Sequence, residues 1–118
     1  MWEIEVTDEF AGWFEGLAED QQEALADRVN LLRERVPDLG RPTVERISSS
    51  RHHNMKELRA SQGGALRVLF MFDPRRQIIL LVGGDKTGEW EAWYQAAIPA
   101  ADDLYDLYLE ELRTEGLN

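Results

Sequence analysis

The chain has 118 residues, no cysteine and a formal charge of −10, and 43% of it is hydrophobic. That length suits a single domain, 1–118, and that apolar share is enough for a packed core, so wholesale disorder is excluded. Without cysteine there is no disulfide scaffold, thiolate metal site or cysteine nucleophile, and so acidic a surface argues against general nucleic-acid binding.

Residues 2–6 alternate apolar and acidic side chains, as a half-buried strand does, with Trp2, Ile4 and Val6 on one side. Thr7 can cap the helix that follows, whose apolar residues Phe10, Trp13, Phe14 and Leu17 recur at helical spacing. A second helix is expected from Asp20, with Glu23 completing a capping box and Leu25, Val29, Leu32 and Val36 as its stripe; Pro37 and the run 38–42 end it. Together these helices read as an αα-hairpin. A short strand is expected at 43–47 and a polar loop or sheet edge at 48–54. Strands at 55–59, 66–72 and 77–82, joined by turns at 60–65 and 73–76, predict an antiparallel meander. Residues 83–88 read as a loop. The tail is helical, and Pro99 either kinks it or opens a new helix. Leu104, Leu107 and Tyr108 share one face of that tail, with Leu112 close by; Asp102, Asp103, Asp106 and Glu110 fall largely opposite. The expected class is α+β: an N-terminal strand and αα-hairpin on a small twisted antiparallel sheet, with a C-terminal helix. The acidic start lacks the basic opening of a secretion signal, and the longest apolar run, 78–82, is too short to cross a bilayer. A cytoplasmic protein without membrane contact is expected.

The charge is unevenly placed. Residues 1–50 carry 5 basic and 12 acidic side chains, residues 51–86 carry 7 and 3, and residues 87–118 carry 1 and 8. The middle is therefore cationic between two acidic flanks. Side chains alternate along a strand. In 66–72, Val68, Phe70 and Phe72 form the better core face, which sends Arg67 to the opposite one. In 55–59, Glu57 and Arg59 share a face, and Lys56 and Leu58 share the other. With Leu58 in the core, Glu57, Arg59 and Arg67 meet on the uncovered side of the meander, and Lys86 leaves the next strand nearby. Such a patch can grip a phosphodiester: guanidinium groups fork onto phosphate oxygens and stabilise the charge of a pentacoordinate transition state. Glu57 can take a proton from a ribose 2′-hydroxyl, and Trp90, Trp93 or Tyr94 can stack a splayed base. The plainer alternative is that Glu57 pairs with its arginine neighbours as a surface cluster, and that Trp90 and Trp93 are core. His52 and His53 point oppositely on an extended segment; one can act as an acid or base near neutrality, or both are exposed loop residues. No spacing suits a two-histidine metal site.

Three stretches carry a family resemblance: Met55-Lys56-Glu57-Leu58-Arg59, Leu66-Arg67-Val68-Leu69-Phe70-Met71-Phe72, and Ile78-Ile79-Leu80-Leu81-Val82-Gly83-Gly84-Asp85-Lys86-Thr87. With the tail from Gly88 to Leu112, they resemble the RelE/HigB-type toxins of type II toxin–antitoxin systems, in particular the phage-derived HigB-like branch. The resemblance implies a microbial-RNase-like fold and metal-independent, cofactor-free mRNA cleavage at the ribosome, which inhibits translation. It also implies neutralisation by a cognate helix-turn-helix antitoxin. It maps the family's basic residues onto Arg59, Arg67 and Lys86 and a C-terminal aromatic onto Tyr94, and it puts Glu57 at a site where relatives often carry either Glu or a basic residue. Lys56, His53 and Trp90 join Tyr94 as the expected substrate-binding set. The chain departs from many relatives in being acidic and in lacking a histidine after Lys86. A non-catalytic binding module and a ParE-type gyrase inhibitor are the alternatives on the same fold.

Overall fold

Strand β1 (Glu3–Val6) leads into helix α1 (Asp8–Glu15) through Thr7, whose hydroxyl accepts the Phe10 N–H at 3.0 Å. Helix α2 (Glu19–Arg35) follows. It starts one residue ahead of the expected Asp20, and its cap is not the Asp20/Glu23 box: Gln21 reaches back to accept the Ala18 N–H at 3.1 Å. Strands β2 (Val44–Arg46), β3 (Lys56–Ala60), β4 (Leu66–Asp73) and β5 (Gln77–Asp85) precede a long helix α3 (Trp90–Thr114). The computed structural model describes residues 2–35, 44–52, 54–61, 65–73, 75, 77–85 and 90–116; within that set nothing is said of the side chains of Glu45 and Trp90. Val36, the expected last member of the α2 stripe, lies outside the described residues.

The five strands form one sheet in the order β1-β5-β4-β3-β2. The expected meander is present, since β2–β3, β3–β4 and β4–β5 are antiparallel. β1 instead pairs parallel to β5, so the sheet is mixed. Connecting β1 to β5 in parallel needs a crossover, and the αα-hairpin supplies its first part. β5 runs on through Gly83 and Gly84, where a loop is expected from the sequence.

Helices cover both faces of the sheet. On one, Leu58, Ala60, Leu66, Val68, Phe70, Ile78 and Leu80 pack with Phe10, Leu25 and Leu32 of the hairpin; Trp2, Ile4, Trp13, Phe14, Leu17 and Val29 close the edges. On the other, Met55, Leu69, Met71, Ile79 and Leu81 pack with Ala97, Ile98, Ala101 and Tyr105 of α3. The register slips between Leu69 and Phe70, where Phe70 pairs with Leu80 and Leu69 with Val82. Leu81 is thus the extra residue of a bulge. Thr7 fixes it from β1: its N–H donates to the Leu80 carbonyl at 3.1 Å and its hydroxyl to the Leu81 carbonyl at 2.7 Å. The slip reverses the alternation beyond it, so Val82 and Gly84 join the α3 face and Gly83 the hairpin face.

α3 continues through Pro99, which neither ends it nor opens a second helix. Its polar residues correct the expected amphipathic split. Asp102 is buried, not on the solvent face; it accepts the Ser50 hydroxyl at 2.5 Å and the Arg51 N–H at 3.0 Å, tying the β2–β3 connection to the helix. Val6, expected on the inner side of its strand, and Leu107, on the apolar face of the tail, are exposed, at 49% and 54%.

Candidate functional site

The cationic strand residues do gather, but under a helix. β3 and β4 pair so that Arg59 lies directly opposite Arg67, and Arg67 lies opposite Gly84 of β5. Glu57 sits two residues from Arg59 on the same face, the face α3 covers. The expectation of an uncovered side is therefore corrected. The apolar character of both strand faces (Leu69 and Met71 beside Arg67, Ile79 and Leu81 in β5) requires a layer on each.

Like charges directly across a ladder repel, and Glu57 offsets this. Arg59 Nε donates to Glu57 Oε2 at 3.1 Å. Arg67 Nε stands 3.6 Å from Oε1, close enough for an ion pair and too far for a hydrogen bond. Its Nη1 donates to the Leu66 carbonyl at 2.9 Å, which leaves Nε as a buried donor without an acceptor. From α3, the Tyr94 hydroxyl donates to Glu57 Oε1. Burial, then the hydrogen bond and charge of Glu57, push the Tyr94 phenol well above the ordinary tyrosine range, against an opposing pull from Arg67. At neutral pH Tyr94 is a protonated donor. Glu57 is 1% exposed, while the Arg67 and Arg59 side chains are 12% and 28% exposed. Arg59 is thus the most open of the three to solvent, and the Tyr94 hydroxyl covers Glu57 Oε1.

Glycine decides how closely α3 lies here. A Cβ on Gly84 would stand 1.9 Å from Trp93 Nε1, so the indole rests directly on the strand backbone beside the Arg59–Arg67 pair. Trp93 is partly buried and packs against the core, in line with the plainer of the two sequence readings. On the opposite face Trp13 rests on Gly83 in the same way.

Of the expected site residues, Glu57, Arg59, Arg67 and Tyr94 come together. Lys56 does not join them: it alternates to the hairpin side with Leu58. Lys86 and His53 lie outside the described residues, as does the Trp90 side chain; the Trp90 backbone opens α3. The neighbouring His52 is bound, with Nε2 2.7 Å from Asp106 Oδ1 and its ring edge-on to Tyr105.

A second polar cluster is not foreseen by the sequence. Asp73 accepts from the Arg75 backbone at 2.8 Å and from its guanidinium at 3.1 Å, and the Tyr108 hydroxyl lies 3.0 Å away. Burial raises the Asp73 carboxyl, but Arg75 and Tyr108 together hold it below the usual carboxylate range. The Asp73-Pro74 turn signals the first of these bonds, since an aspartate there caps the N–H two residues on. Nothing in the sequence announces Tyr108, which arrives from α3. Among the described residues no three potential ligands cluster to hold a metal ion, and no helix is long and apolar enough to cross a membrane.

The chain is similar to several known proteins. Residues 12–106 match the profile of the family described as "Phage derived protein Gp49-like". The chain is 46% identical over 97 residues to the toxin candidate HigB3 of Mycobacterium tuberculosis (strain ATCC 25618 / H37Rv), covering 82% of this chain and 84% of that one. It is 41% identical over 112 residues to the toxin candidate HigB2 of the same organism, covering 93% of this chain but 55% of that protein. The fold is similar to that of E. coli RelE in the intact RelBE toxin–antitoxin complex, with a TM-score of 0.54 at 10% identity over 72% of this chain and 96% of that one. It is also similar to a mutant E. coli RelE with two arginines replaced by alanine, in the free state, with a TM-score of 0.57 at 10% identity over 80% and 93%. These structures bear out the RelE-like α+β class.

Proposed function

Since the chain belongs to the phage-derived Gp49-like family of RelE/HigB-type toxins, we propose that it works as a metal-independent mRNA endoribonuclease, acting in the cytoplasm at the ribosome and held in check by a cognate helix-turn-helix antitoxin. The observation that carries the activity is the Arg59–Arg67 pair facing each other across the ladder on a single carboxylate, with the Arg67 Nε buried and without a hydrogen bond. A buried guanidinium donor without an acceptor suits a phosphoryl oxygen.

In this reading the scissile phosphate lies on Arg59 and Arg67, and the 2′-hydroxyl replaces the Tyr94 hydroxyl on Glu57. Glu57 takes its proton as the 2′-oxygen attacks phosphorus in line. The bond to the 5′-oxygen breaks, and that oxygen takes a proton from solvent. One product ends in a 2′,3′-cyclic phosphate. The two guanidinium groups hold the charge that builds on the equatorial oxygens. Lys86, which follows β5 in the chain, adds to that charge, and Tyr94, still protonated, donates to a phosphoryl oxygen.

One observation favours the non-catalytic alternative: Glu57 is closed off by Tyr94. The test separates the two. Expressed in cells, the chain should halt translation and yield mRNA fragments with cyclic phosphate ends, and Arg67→Ala should lower cleavage about 10²–10³-fold. Intact mRNA with the unaltered chain, or equal cleavage by both, refutes the mechanism. Arrest without cleavage together with gyrase capture would point to the ParE-type activity.

A further inference from the structure

An open groove unlike the Glu57 cluster in chemistry runs between β1 with the first turn of α1 and the C-terminal half of α3, with a volume of about 500 Å³. Ile79, Leu104 and Leu112 line it, and Val6 and Leu107, the large apolar side chains the fold leaves exposed among the described residues, both border it. Around these stand five carboxylates: Glu5, Asp8, Glu9, Glu111 and Glu115. None is ion-paired with a described residue, and the arginine in the groove lining, Arg75, is committed to Asp73. Exposed apolar side chains inside a ring of like charges are costly in the isolated chain twice over, through wetted hydrocarbon and through mutual repulsion. A partner that is apolar along one stripe and cationic beside it removes both costs together.

We propose that this groove docks a cationic amphipathic helix of a partner protein, with leucine-like side chains seated between Val6, Leu107 and Leu112 and Lys or Arg side chains on the five carboxylates. The groove wall from Leu104 to Glu115 is about 16 Å long at 1.5 Å per residue, the length of about three turns of a partner helix. The proposal deepens the reading that a protein partner holds this toxin in check, and rests on it. It assigns the partner a basic docking segment, the complement of an acidic toxin.

The probe is a synthetic helical peptide with leucines at i, i+3, i+4 and i+7 and lysines flanking them, titrated into the isolated chain near 0.15 M salt, where charges beyond about 8 Å are screened. Saturable binding is expected, with amide shifts at Val6, Thr7, Leu107 and Leu112. The surface double variant Glu111→Lys/Glu115→Lys should weaken it about tenfold or more, equivalent to 1.4 kcal/mol, and Leu107→Ser should weaken it as well. Glu23→Lys/Asp27→Lys, the same charge change on exposed α2 positions, should alter it less than about twofold. Equal weakening by the two double variants, equal binding of a peptide with glutamine for leucine, shifts outside the groove, or no saturation each overturns the proposal. The assay contains no RNA, so its outcome is independent of whether Glu57 and its arginines cleave anything.

Discussion

Replacing Gly84 by alanine asks how firmly α3 is seated over the Glu57 cluster. The added Cβ would lie 1.9, 2.5 and 2.9 Å from Nε1, Cε2 and Cδ1 of Trp93. Against an optimal separation of about 3.5–4.0 Å, the shortest of these falls short by roughly 1.6–2 Å. An indole is rigid and this one packs against a filled core, so the first turns of α3 must lift. Overpacking of this kind costs about 1–3 kcal/mol, which for a chain of this size lowers Tm by roughly 4–12 °C. Gly83→Ala is the matched control: its Cβ would meet Trp13 at 2.2 Å, on the other face. A similar stability loss is expected there, without disturbing Tyr94. Gly12→Ala meets nothing within 4 Å in α1 and should stabilise by about 0.5–1 kcal/mol. Thermal unfolding ranks the three. Tyrosine-resolved NMR titration separates the first two, because Tyr94 follows Trp93, and its phenol should titrate lower only in Gly84→Ala. Wild-type Tm in Gly84→Ala, or an unchanged Tyr94 titration, would refute this account of how the helix is held.

Glu57→Gln should lower the Tyr94 titration, since the carboxylate contributes both a hydrogen bond and a charge to its elevation; burial remains, so the phenol should stay above the ordinary range. All three tyrosines, Tyr94, Tyr105 and Tyr108, are raised in the fold, Tyr108 to about 12 and each by burial first. A phenol raised above its unfolded value near 10 contributes stability that is complete below that pH and is lost as pH climbs through the folded value. Phenolate absorbance should therefore stay flat near pH 10 and rise together with alkaline unfolding; a normal titration while the fold persists contradicts this. Asp73 has the opposite sign. Its carboxyl lies lower in the fold than in the unfolded chain, so its contribution is present above about pH 4 and disappears as pH falls through the lowered value. Asp73→Asn should flatten that part of the acid-unfolding profile followed by circular dichroism.

Local pattern makes much of the molecule legible. Alternation in 2–6 and helical spacing from Phe10 to Leu17 mark elements whose inward faces match the sequence reading, apart from Val6. The meander follows from turn chemistry, and the meeting of Glu57, Arg59 and Arg67 follows from strand parity once 55–59 and 66–72 are paired. Long-range geometry is not legible in the same way. Parity predicts which side chains share a face but not what lies over it, and the cover on that face comes from α3, dozens of residues downstream. Even so, the unbroken apolar run 78–82 is a usable sign of a strand buried on both sides. The bulge at Leu81 depends on Thr7 reaching it from β1, a contact between residues 74 apart. Asp102 reads as solvent-facing charge because its partners, Ser50 and Arg51, belong to a connection whose path the sequence does not specify.

The adjacent Gly83 and Gly84 have a mechanical consequence. At this one spot the two helical layers are separated by little more than the thickness of a peptide ribbon, with an indole pressed on each side. Elsewhere interleaved side chains can absorb a displacement by rotating; here there is none to rotate. Trp13 of the first helix and the tryptophan next to Tyr94 therefore bear on one short stretch of bare backbone, so the seating of each depends on where that ribbon lies.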